Sequence, residues 1–159
     1  MHVITGSDAG QLNDATRPLV VAGASVARPH RVAEHAHRRR QLLYATGGLA
    51  HVRIGEQRWT LTHNQGIWIP EGLRHEVSSH DNLSYRSVFV DPAAASGLSL
   101  PDGPVTIPAI LHELIGEARE FGVSYECDTP EFRLISVLFD QLDQLQKTEL
   151  PIPLPHDQR

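Results

Sequence analysis

The chain is 159 residues long, 40% hydrophobic and 21% charged, which allows one domain with a real core and excludes both a disordered chain and two full domains. Its net charge of −5 excludes general nucleic-acid binding, because phosphate contacts need a basic face. The single cysteine, Cys127, excludes an internal disulfide; no basic stretch leads into an apolar block, and no apolar run is long enough to span a bilayer, so the expected setting is the cytoplasm without a membrane partner.

Residues 1–17 are polar, rich in Gly, Asp and Asn, and read as a flexible lead-in. From Pro18 to about Pro92, short apolar runs alternate with turn signals. The runs are LVVAGASV (19–26), QLLYAT (41–46), LAHVRI (49–54), RWTLT (58–62), GIWIP (66–70), HEVSS (75–79) and LSYRSVFV (83–90). Gly47-Gly48, Gly55-Glu56-Gln57, His63-Asn64-Gln65, Glu71-Gly72 and His80-Asp81-Asn82 separate them. Strands this short and this evenly spaced predict a mainly β domain over 18–107, an antiparallel sandwich or small barrel.

After Pro108 the period changes. Residues 109–121 place Ile110, Leu111, Leu114 and Ile115 on one helical face. A second helix begins at Thr129-Pro130-Glu131, with Thr129 as the cap and Pro130 in the first turn. Its apolar stripe, Phe132, Ile135, Leu138, Phe139 and Leu142, continues to Leu145 and has a second set at Leu134 and Val137. That face is wider than one packing surface needs. Residues 108–148 therefore either cover the β domain or pair two subunits into a homodimer. The proline ladder Pro151-Ile152-Pro153-Leu154-Pro155, within 149–159, reads as a linker.

Eight of the ten histidines precede position 81. On a strand, residues two apart share a face, so His35 and His37 aim at one point. Gln41 joins them only if Arg38-Arg39-Arg40 turn and Gln41 opens the next strand. Pro70-Glu71-Gly72 then forms a tight turn from which His75 emerges as a further partner.

The segment HAHRRRQLLYATGG resembles the first cupin motif through His35, His37, Gln41 and Gly48, and PEGLRH resembles the second through Pro70, Gly72 and His75. The wider text is similar to the N-terminal sensor domain of AraC-type transcription regulators. The phrases carrying it are HAHRRRQLLYA, GIWIPEGLRHEV, RSVFVDP, IPAILHELIGEA and PLPHDQR, and the resemblance covers roughly residues 18–159. It implies a cupin-like antiparallel β-barrel, or jelly roll, followed by two C-terminal helices. It also implies that His35, His37, Gln41 and His75 hold a divalent transition metal such as Zn, Ni, Fe or Mn. In such regulators a pair of helix-turn-helix units follows the linker, so DNA is reached only through a C-terminal domain absent from this chain. Two departures stand out. Gly66 sits closer to Pro70 than the motif's leading glycine, and Gln41 replaces the commoner acidic ligand. A set of neutral ligands leaves the metal's charge uncompensated, so the expected effector is an anionic small molecule.

Tyr44, Trp59 and Trp68 lie in strand patterns; in a barrel interior a core residue and a ligand platform coincide, so with Arg40 they form the candidate ligand pocket. The rest of the arginine run reads as a solvated turn. His51, His63 and His80 read as surface residues. His112-Glu113 starts like a zinc-protease helix, but Gly116 stands where the second histidine is needed, leaving a surface pair. No phosphate loop or nucleophile elbow appears, and Cys127 has no reactive neighbour. The rival to a sensor is a free-standing metal-dependent cupin enzyme, a dioxygenase or isomerase. No second acid or base at a recognisable spacing supports it, and Glu76 points to the strand face opposite His75.

Overall fold

A computed structural model describes residues 18–27, 29–120 and 126–148; the expected lead-in 1–17 and proline linker 149–159 lie outside the described residues. Among the described residues nine strands form: β1 (Leu19–Val26), β2 (His30–His35), β3 (Arg40–Gly47), β4 (Ala50–Ile54), β5 (Gln57–Leu61), β6 (Gln65–Ile69), β7 (His75–Ser79), β8 (Leu83–Val90) and β9 (Pro104–Thr106). A single helical turn, α1 (Pro92–Ala95), follows β8, and α2 (Ala109–Glu120) and α3 (Pro130–Asp143) follow β9.

The strands make two antiparallel sheets, ordered β1-β8-β3-β6-β9 and β2-β7-β4-β5. This is the strand order of a jelly roll, flattened into two facing sheets rather than closed into one barrel. All seven expected strands form. The sequence reading lacks β2, β9 and α1. β2 is a polar edge strand without an apolar run, and β9 is three residues beginning with proline.

The five-stranded sheet is covered on both faces. Leu43, Ala45, Ile67 and Leu83 point to the other sheet and meet Ala50, Val52, Leu61 and Val77. Leu42, Tyr44, Val88 and Val90 point the other way, against Leu111, Ile115, Leu138 and Leu142 of the helices. The molecule thus has three layers and two apolar cores. Each fully buried leucine in them contributes about 2 kcal/mol by leaving water.

The helices correct one expectation. Ile110 is 54% exposed, and Leu111, Ile115 and Ala118 form the buried stripe of α2. In α3 the Thr129 hydroxyl accepts from Phe132 N–H at 3.2 Å, with Pro130 in the first turn as expected. Of the stripe expected either to cover the β domain or to pair subunits, Ile135, Leu138 and Leu142 are buried in the helical core and Phe132 and Phe139 are half-buried. Covering the β domain uses that face.

Candidate metal and effector site

The β2–β7 register sets the first ligand. Val32 pairs with Val77, and regular pairing would then put Glu34 opposite His75. A bulge between Val32 and His35 moves His35 into that place instead. A one-residue slip inverts the faces, so the bulge turns His35 inward and Glu34 outward, where Glu34 meets Arg53 and Arg74. His37 stands in the loop that follows, and Gln41 is the second residue of β3.

Two contacts tie this loop to the turn before His75. Gly72 N–H donates to the His37 carbonyl at 2.7 Å, and the Arg40 guanidinium meets Glu71 at 2.6 Å. Gly72 adopts φ +74 and Gly48 φ +80, a region that disfavours side chains, which accounts for glycine at both motif positions.

The rings of His35, His37 and His75 gather with centroids 4.6, 4.4 and 5.0 Å apart. One nitrogen of each lies within 4.8 Å of the other two. Carbonyls fix two of the rings. His35 Nδ1 donates to Ala33 O at 2.7 Å and His75 Nδ1 to Leu73 O at 2.9 Å, which leaves both Nε2 atoms as acceptors. Gln41 Nε2 donates to the Ser87 hydroxyl at 2.9 Å, leaving its Oε1 free to accept. Phe89, the partner of Gln41 on β8, packs edge-on to His37 with centroids 5.2 Å apart.

The resulting cluster is buried and unsatisfied. His37, His75 and Gln41 are 8%, 1% and 5% exposed. Both His37 nitrogens, His75 Nε2 and Gln41 Oε1 lack a hydrogen-bond partner. Such groups cost about 1–3 kcal/mol each when left unmade, so a knot of buried ring nitrogens and an amide oxygen without partners fits a cation. Three imidazoles and an amide oxygen suit a late first-row divalent ion. Burial is the largest cause holding His37 at about 4, reinforced by repulsion from His75 and His35 and opposed by the Gln41 side chain. Burial likewise holds His75 at about 4, against the pull of the Leu73 carbonyl. Both rings are therefore neutral at neutral pH, the form that ligates.

The four expected pocket residues divide. Trp59 faces the space between the sheets and lines a cleft of about 830 Å³, which Arg40 and Trp68 also border. Arg40 is already engaged by Glu71. Trp68 belongs to the helix-side core and also borders the cleft. Tyr44 does not face the barrel interior. It is fully buried on the helix side, and its hydroxyl meets His112 Nδ1 at 3.1 Å. His112 is consequently a contact between sheet and helix rather than a surface residue. The arginine run is not one solvated turn either, because Arg39 is only 4% exposed. His63 and His80 are exposed and His51 bonds Thr60, as surface residues do. Glu76 faces outward to Arg31 and Arg53, as its parity predicts. Ser87, Phe89 and His112 escape sequence reading because only the pairing of distant elements brings them to their partners.

The AraC-like ligand binding domain family matches residues 19–149. The HTH-type transcriptional regulator NimR of Escherichia coli (strain K12) is 28% identical over 122 residues, covering 76% of this chain and 44% of the relative. The chain thus spans less than half the length of that curated relative. Among solved structures, a cupin superfamily protein from Desulfitobacterium hafniense is 15% identical with a TM-score of 0.45, over 47% of this chain and 69% of that one. A cupin 2 conserved barrel domain protein from Salinispora arenicola is 21% identical with a TM-score of 0.44, over 52% and 71%. With its family match running from β1 to just beyond the last described residue, the chain belongs to the AraC-like ligand binding domain family.

Proposed function

We propose that this chain is the effector-sensing and dimerisation part of an AraC-type transcription regulator acting in the cytoplasm. His35, His37, Gln41 and His75 would hold a divalent transition metal, Zn, Ni, Fe or Mn, whose charge would draw an anionic small molecule. The observation that carries this reading is the gathering of three histidine rings, with buried nitrogens of His37 and His75 that lack partners, beside a buried Gln41 Oε1 that also lacks one. The bound cation supplies a positive centre for the anion. The chain's own residues do the rest: Ser87 orients Gln41, the Ala33 and Leu73 carbonyls fix two imidazole tautomers, and Phe89 shields His37 from water. DNA is reached through a separate helix-turn-helix domain, a reading supported by the similarity to NimR, an HTH-type transcriptional regulator.

β3 offers a route from site to helices. Gln41 faces the ligands on one side, and Tyr44, three residues on, faces the other and holds His112 of α2. An effector shifts the helices only if it binds their two arrangements with different affinity. The enzyme reading lacks a general base among the described residues near the histidines: Glu76 faces outward and Glu71 is tied to Arg40. In a thermal-shift screen of metal-loaded protein, small carboxylates raise Tm and are recovered unchanged, whereas neutral analogues leave it alone. A stronger shift from the neutral analogues, or conversion of the ligand, contradicts the reading.

A further inference from the structure

The cleft beside the histidines has a composition that narrows the effector class, given the metal centre proposed above. Its apolar lining includes Ile54, Trp59, Ile69 and Leu73, together with Trp68 and Leu100. Three of these adjoin the ligand frame directly. Ile54 is the cross-strand partner of His75, and Ile69 is the partner of Gln41. The Leu73 carbonyl receives the His75 Nδ1 proton. Directly opposed residues share a sheet face, so the apolar wall runs on into the row of ligands.

The charges bordering the cleft cancel. Arg40 and Glu71 neutralise one another at 2.6 Å, and Asp102 and Lys147 add one charge of each sign. These walls give a free ionic group no net attraction, so the unbalanced positive charge available to a ligand would be that of a cation held by the neighbouring ligand row. A molecule matching both parts has one anionic head and an apolar body. Trp59, half-buried on the inner face, presents an aromatic surface on which a flat ring packs better than a flexible chain.

We propose that the effector is an aryl-bearing carboxylate, its head directed to the metal centre and its ring lying in the cleft against Trp59, Ile54 and Leu73. The cleft is then the specificity-determining half of a two-part site.

The two halves report separately. The chain has two tryptophans, and both border the cleft, so their emission reports the body of a ligand. The visible absorption of cobalt(II)-loaded protein reports the head. The probes are 3-phenylpropionate, its methyl ester and acetate. The acid with the ring should change both signals and bind about tenfold or more tightly than acetate, with the ester at least about tenfold weaker than its acid. Trp59→Ala should bring the affinities of the two acids close together. Leu73→Ser should reduce the preference about threefold; Leu73 is 41% exposed, so this second variant does not put the fold at risk. Equal binding of the two acids, or of acid and ester, overturns the proposal while a cobalt response to acetate leaves the metal-centre reading standing. Failure of the protein to bind cobalt at all removes both.

Discussion

His37 and His75 couple the stability of the metal-free protein to pH. Each is held at about 4 in the folded chain, first by burial, against an ordinary value of 6.5. As pH falls, the unfolded chain takes up protons before the native one does. The metal-free fold therefore has the full contribution above about pH 6.5 and loses it progressively toward pH 4, by roughly 3 kcal/mol per histidine at most. Melting curves should show Tm falling across that window, and His75→Gln should flatten the fall; a parent profile as flat as the variant's contradicts the account. At this scale the sequence was informative where chemistry repeats at fixed spacing. His35, His37 and His75 were legible as a group from two short motifs, and the structure brings those three together. The bulge that selects His35 over Glu34, and the supporting Ser87 and Phe89, were not legible, because register between distant strands leaves no local mark.

β3 shows what alternation alone does and does not decide. Its pattern of polar and apolar residues identifies two faces, but both are buried, so composition does not say which one meets the other sheet. Tyr44 was expected in the barrel interior and instead lies on the helix side. Ile110 was misplaced for a related reason: α2 rests on both the sheet and α3, and its stripe turns toward Ala118, a residue too small to signal burial. Elements with strong local chemistry were legible, including the Thr129 cap and the seven apolar strands. Polar β2 and the short β9 were not. Tyr44→Phe should test the joint between sheet and helix. It removes one buried hydrogen bond to His112, worth about 1 kcal/mol, and should lower Tm by about 3 °C with metal affinity unchanged. No change in Tm would show that the contact does not help to hold α2.

For the whole molecule, three layers leave little of α3 for a second subunit. Ile135, Leu138 and Leu142 are committed to the core, while Val137 is 43% exposed on the outer side. If two copies pair through this helix, they use its outer surface, so Val137→Lys should halve the mass seen by light scattering without lowering Tm. A parent that is already monomeric, or a variant dimer of unchanged stability, removes α3 from the interface. The central claim concerns the buried acceptors facing one another between the sheets. Equilibrium dialysis of the purified chain against a divalent metal tests it most directly, with His75→Ala alongside. The account predicts one ion bound per chain and an affinity lower by about two orders of magnitude in the variant. Equal uptake by parent and variant, or no uptake by either, would contradict it.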